Sequence, residues 1–390
     1  MRVLIIGHKS PYPIIDGGCF AMARFLENVL QVPNIEVHYF VLSTFKHPFK
    51  QENFPQIKQT NFHISSSPIQ TELKVIPALT QLIQGKNYNL SRFYDKKTAQ
   101  QLKLIQKEFK PNFVIFESLF SAVYVDLFSD TKKWLRAHNV EHEIWNNLHQ
   151  STKRSPKKWY IKQLYQSLHR EEIILWKKLD GIFTISEDDA KIIAKHVDIS
   201  LIFVPVALKK QVVKTDFSSS DLCFLGAYNW EPNKEAIEWF LNKIFPEILN
   251  KSPSTLLHLA GIESELLKIP EQVRHSVRVH GFVESVSEFF MKHGVFVAPM
   301  LSGSGVKIKV LEAMNHGVPC VLTPKAAEGL GLNLPIAVQN TENAFIEEVL
   351  RLIQDENSRK ILGNKLQNFA QTNFGEESVV GILRKSINSQ

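Results

Sequence analysis

A chain of 390 residues, 44% hydrophobic and 22% charged, has an ordinary globular composition but exceeds what one growing core accommodates, so two domains are expected. The net charge of +7 lies entirely in one half: residues 1–205 hold 27 Lys and Arg against 19 Asp and Glu, whereas 206–390 hold 19 against 20. No apolar stretch approaches the roughly 18–20 residues of a membrane span, and three scattered cysteines (Cys19, Cys223, Cys320) exclude a disulfide framework.

The cysteines therefore read as buried, reduced thiols, and Met1-Arg2 leads directly into the apolar run Val3–Ile6, so a cytoplasmic chain without a secretory leader is expected. The basic half suits an anionic partner or membrane surface. With neither aromatic stacking platforms nor a recognition helix, a nucleic-acid partner is not expected.

Apolar runs of strand length alternate with helical periods, which predicts an α/β protein with parallel sheets. Strands are predicted at Arg2–Ile6, Val37–Leu42, Phe113–Phe116, Lys133–Ala137, Gly181–Ile185 and Leu201–Val204, with a helix at Phe20–Leu30. Residues 48–90, with scattered Pro, Gln and Ser, read as an insertion or a mobile loop. Val206–Ser220 is polar and reads as a linker. A second strand series follows at Leu222–Leu225, Leu256–Ala260, Val277–His280, Val295–Ala298, Cys320–Leu322 and Ile336–Val338. The two series predict two Rossmann-like domains, 1–205 and 206–372, followed by a helical segment 373–390.

Most of the chemistry is concentrated between Leu301 and Thr323. Gly303-Ser304-Gly305 follows a strand and opens an apolar-periodic helix, so free backbone N–H groups and the helix dipole face an anion. Lys307 and Lys309 add cations, and Glu312, farther along the helix, suits a pair of ribose hydroxyls. The ligand this arrangement suggests is a nucleoside diphosphate with something attached.

Elsewhere, Gly7 leads through His8-Lys9-Ser10 to Asp16-Gly17-Gly18, which is neither a G-x-G-x-x-G turn nor a P-loop. His138-Asn139-Val140-Glu141-His142 reads in two ways. On one helix, His138 and His142 would bind zinc. If Lys133–Ala137 is a strand, His138 instead stands at its carboxyl end, where open α/β sheets bind ligands. Lys153, Arg154, Lys157, Lys158 and Lys162 interleave with Trp159, Tyr160 and Ile161, a pattern shared by membrane-surface helices and by helices with a solvated basic face.

Glu312-Ala313-Met314 and Gly317-Val318-Pro319 resemble the nucleotide-sugar site of retaining, family-4-like glycosyltransferases. That family's first glutamate is absent, Ser304 standing in its place, but a branch of the family carries Gly-Ser-Gly, a basic residue and Lys, as this chain does. The resemblance implies a GT-B fold, two Rossmann-like domains facing each other across a cleft, with the C-terminal helix crossing back to the first. It implies a nucleotide-sugar donor, no cofactor, no metal, and a glycan or lipid-linked acceptor. Lys309 and His138 are its catalytic candidates. Gly17, Gly18, Gly226, Gly281, Val283, Gly303, Ser304, Gly305, Lys307 and Glu312 are its donor-binding candidates, and Asn233 reads as a helix cap or loop anchor. A non-catalytic nucleotide-sugar binder, a GT-B epimerase and a zinc hydrolase are the alternatives.

Overall fold

The computed structural model describes residues 1–54, 61–210, 216–303, 305–331 and 333–388. The chain divides into two compact units, Met1–Val206 with Val379–Gln390, and Ala207–Ser378. No helix among the described residues is long and apolar enough to cross a membrane.

The first unit is built on a seven-stranded parallel sheet of β1 (Arg2–Gly7), β2 (Glu36–Ser43), β3 (Phe62–Pro68), β4 (Phe113–Glu117), β5 (Lys132–Ala137), β6 (Gly181–Thr184) and β7 (Ser200–Phe203). Its strand order is β3-β2-β1-β4-β5-β6-β7. The strands are apolar without alternation because helices cover both faces of such a sheet; Val3, Leu4, Ile5 and Ile6 are all fully buried. The helices are α1 (Gly17–Val29), α2 (Val75–Ile83), α3 (Tyr88–Ser91), α4 (Lys96–Phe109), α5 (Glu141–Ser151), α6 (Pro156–Trp176) and α7 (Glu187–Ile193). Their starts are set by side-chain caps. Asp95 accepts from the Thr98 amide, Ser155 from Lys158 ahead of Pro156, and Ser186 from Asp188 and Asp189.

The second unit holds a five-stranded parallel sheet of β8 (Leu222–Leu225), β9 (Leu257–Ala260), β10 (Val277–Val279), β11 (Val295–Ala298) and β12 (Cys320–Leu322), in the order β10-β9-β8-β11-β12. Around it lie α8 (Glu231–Trp239), α9 (Phe245–Lys251), α10 (Val286–Met291), α11 (Ile308–Asn315), α12 (Pro324–Ala327), α13 (Glu342–Gln354) and α14 (Glu356–Phe374). The last helix, α15 (Glu376–Asn388), contributes its residues from Val379 onward to the first unit. All three cysteines are buried free thiols.

Four expectations are corrected. Residues 48–90 hold β3 as well as α2 and α3, so they are not simply an insertion; β3 adds to the sheet edge beside β2. Its sequence, Phe-His-Ile-Ser-Ser-Ser-Pro, is half-buried and polar, as an edge strand can be. Ile336–Val338 is not a strand, only the Gln339 amide reaching the Leu322 carbonyl at 2.8 Å. The helix expected from Phe20 begins at Gly17, because Asp16 caps it by accepting from the Cys19 amide. The helix expected to open at Gly303–Gly305 begins at Ile308, with Lys307 as its cap residue.

Both sheets reverse their strand order once, between β1 and β4 and between β8 and β11. In open α/β sheets the carboxyl ends at such a reversal leave a crevice that side chains and loops of neither flank fill. The candidate residues gather at these two places.

Candidate functional site

At the β8/β11 reversal, glycine makes close approach possible. Gly226 follows β8 and Gly261 follows β9; a Cβ on Gly261 would lie 2.0 Å from the Gly226 carbonyl oxygen, and Gly261 has a φ of +125°. The Gly261 amide donates to the Gly281 carbonyl at 2.7 Å, stitching the ends of β9 and β10. Gly281, at φ +70°, admits the Glu265 carboxylate where a side chain would sit. After it, Phe282 is exposed and Val283 packs partly against the core.

Across the reversal, the chain after β11 passes through Gly303 (φ +95°) and Gly305 (φ +71°) into α11. Ser304 lies outside the described residues. Lys309, in the first turn of α11, is half-buried, and its Nζ donates to Oδ1 of Asn233 and stands 4.2 Å over the Phe224 ring. Burial, then the neighbouring Lys307, holds its ammonium well below the ordinary lysine range. An anionic ligand arriving here would reverse that shift.

Glu312 lies three residues after Lys309 and so shares its helix face. Its backbone carbonyl accepts from the His316 ring at 2.7 Å, while its carboxyl has no ion-pair or hydrogen-bond partner among the described residues. Burial raises its pKa to about 7. A desolvated carboxyl without a partner is an acceptor waiting for hydroxyl donors.

Two expected roles change. The Lys307 side chain is buried, donating to the Gly305 carbonyl at 2.6 Å with Glu328 3.9 Å away, so it braces the loop before α11. Of the two readings of Asn233, the cap fails because Trp230 takes that position, and the loop anchor holds: Asn233, inside α8, bonds the Ala227 carbonyl at 2.8 Å while receiving Lys309. Sequence reasoning missed this tether, and it missed Phe224 as the ring beneath the cation. Lys234 points to Glu238 on its own helix.

At the β1/β4 reversal a second cluster forms within the first unit. Register aligns Gly7, Glu117 and Arg136 across β1, β4 and β5. His8, just past β1, bonds the Glu117 carbonyl through Nδ1 at 2.7 Å. Arg136 pairs with the Glu117 carboxylate at 2.5 Å, both fully buried. His138, immediately past β5, places Nε2 at 3.2 Å from the Arg136 guanidinium and 3.3 Å from Glu117. Nε2 thus faces both a donor, the guanidinium, and an acceptor, the Glu117 carboxylate. Burial, then Arg136, holds His138 well below its ordinary range, and burial, then His138, lowers His8 to about 3. Two neutral imidazoles with ring centroids 6.0 Å apart thus mark this sheet edge.

Because α5 starts at Glu141, His138 and His142 share no helix, and His142 bonds Glu172 instead, which removes the zinc pair read from the sequence. Gly17 and Gly18 form the first turn of α1 and are not a turn ahead of it. The Asp16 carboxylate already stands at that helix end, receiving Lys9 at 2.9 Å and His47 at 3.2 Å.

Residues 219–355, which contain the whole β8/β11 cluster, match the family model described as glycosyl transferases group 1. Over that segment the chain is similar to the glycosyl transferases group 1 family. Its two parallel-sheet units are those of the GT-B fold. It is 23% identical, over 74% of its length and 77% of the relative's, to an uncharacterized 44.6 kDa protein in the cps region of Klebsiella pneumoniae. Sucrose-phosphate synthase from Thermosynechococcus elongatus superposes with a TM-score of 0.68 at 14% identity, covering 100% of this chain and 99% of that one. Anabaena HepE in complex with UDP and glucose gives 0.66 at 11% identity, covering 100% of both chains.

Proposed function

We propose that this protein is a glycosyltransferase that transfers a sugar from a nucleoside-diphosphate sugar, with retention of anomeric configuration and without a catalytic metal, to a glycan, lipid-linked or other cell-envelope acceptor. The observation that carries this reading is the single face of α11 presenting, at the helix N-terminus, a buried lysine whose charge an arriving anion would favour and, three residues on, a desolvated carboxyl. A diphosphate matches the first and a ribose diol the second, at a spacing a nucleotide spans.

Negative charge collects on the departing diphosphate in the transition state. Lys309 and the α11 N-terminus meet it as preorganised positive groups, while Glu312 anchors the ribose. Gly281 and Val283 offer backbone to the base, as Gly226, Gly303 and Gly305 allow the chain to approach the phosphates. His138, neutral and oriented by Arg136, positions sugar and acceptor hydroxyls from the first unit. The cps-region relative supports a cell-envelope polysaccharide as product, and the UDP and glucose held by HepE support UDP as the first nucleotide to test. Exposed Trp159 and Tyr160 among Lys153, Arg154, Lys157 and Lys162 support cytoplasmic placement against an anionic membrane surface.

A thermal-shift panel of UDP, GDP, ADP and their sugar conjugates, all in EDTA, tests the donor site. Stabilisation by one base family supports the reading, since a ligand at 100 times its Kd adds about 2.7 kcal/mol. Absence of any nucleotide-dependent shift would refute it.

A further inference from the structure

Three helices of the first unit bring three imidazoles together, none of them used above. His142 stands in the first turn of α5, His169 within α6 and His196 just past α7; one ring nitrogen of each lies within 4.8 Å of the others. Ring centroids are 4.4 Å apart for His142 and His169, 5.3 Å for His169 and His196, and 6.0 Å for His142 and His196.

The buried Glu172, one turn beyond His169 on α6, fixes the chemistry of this trio. Its carboxylate accepts from the amides of Glu141 and His142 at 3.1 and 2.9 Å, and from Nδ1 of His142 at 2.8 Å. An ionised carboxylate can only accept, so the Nδ1 facing it carries a proton, and in the neutral ring Nε2 is the nitrogen left for a metal. Nε2 is 3.5 Å from the Glu143 carboxylate. A carboxylate holding one ring N–H, with the other nitrogen facing a cluster of ligands, is how histidines are oriented toward metals. Neither His169 nor His196 has a hydrogen-bond partner for its ring among the described residues.

We infer that His142, His169 and His196, with Glu143 or a water as the fourth ligand, bind a divalent transition cation of the zinc class that ties α5 and α6 to the end of α7. Metal–nitrogen bonds of about 2.0–2.1 Å place ligand nitrogens about 3.3 Å apart in a tetrahedron. The half-buried His169 and His196 reach that spacing by small side-chain rotations. The site shares no residue with the donor cluster, and its role is structural.

A second histidine trio in the other unit provides the control. There His258 Nδ1 and His280 Nε2 bond each other at 2.8 Å, and His293 Nδ1 bonds the Phe289 carbonyl at 2.6 Å, so one nitrogen of each ring is already engaged without an ion.

The full chain, stripped with EDTA and dialysed, is titrated with Zn²⁺ by calorimetry and with Co²⁺ by visible absorption. One equivalent per chain, with the intense visible bands of tetrahedral Co²⁺, is expected. His169→Gln and His196→Gln, both at half-buried positions, should each weaken binding by roughly 10²-fold, and His280→Gln should leave it unchanged. Failure to bind one equivalent at micromolar Zn²⁺ would overturn the inference. So would binding that survives the His169→Gln, His196→Gln double substitution, or that is lost only in His280→Gln.

Discussion

Glu312→Gln should make the protein more stable and a worse nucleotide binder at once. Burial raises the Glu312 carboxyl from an ordinary 4.5 to about 7. Below pH 4.5 it is protonated in both folded and unfolded chains and has no effect on stability. Between 4.5 and 7 the unfolded chain releases the proton more readily than the folded one, so stability is lost as pH rises through that window. At 1.36 kcal/mol per pH unit the loss reaches about 3 kcal/mol above pH 7, an upper figure because part of the residue reaches solvent. Glutamine keeps the shape and removes the charge. Thermal unfolding from pH 4.5 to 8.5 should therefore show the variant and parent converging in acid and separating by roughly 5–10 °C at pH 8. The same substitution replaces a charged acceptor with a neutral one, and nucleotide affinity should fall about tenfold or more. Equal stabilities at pH 8 would mean the carboxyl is not desolvated. Unchanged nucleotide affinity would move the ribose contact elsewhere.

Lys309→Ala should lower the transfer rate by roughly 10²-fold with the fold intact, as for loss of one charge-stabilising donor; near-normal turnover would remove Lys309 from the chemistry. Gly261→Ala should cost at least about 2 kcal/mol, since the backbone strain alone costs about 1–2 kcal/mol and the new Cβ would meet the Gly226 carbonyl at 2.0 Å. Gly381→Ala, in the middle of α15 with nothing near the added Cβ, should instead raise the melting temperature slightly. Equal melting temperatures for these two variants would contradict the glycine packing described above.

The strands were readable because parallel sheets bury both faces, so runs such as Val3–Ile6 and Val295–Ala298 stand out without any alternation. β3 escaped because an edge strand of serines carries no such signal. Helix starts were misplaced where the cap was an unexpected residue, Lys307 in one case, or where Asp16 draws two glycines into the helix. That Lys309 and Glu312 share one helix face was legible because their three-residue spacing reports it. Contacts made by folding were not: Asn233 meets Lys309 across 76 positions of sequence, and the histidines at 142, 169 and 196 converge only once three helices have packed.

The Asn233 carbonyl held against Lys309 acts as a threshold. It supplies the partial negative charge that holds the Lys309 Nζ beside the loop after β8. An incoming group gains only the difference between its own interaction and the one it displaces. A sugar hydroxyl, no better an acceptor than an amide oxygen, gains almost nothing by the exchange; a phosphate, with full charge, gains a great deal. If Lys309 meets the donor phosphates as proposed, the amide sets a floor on ligand charge that a free sugar would not reach.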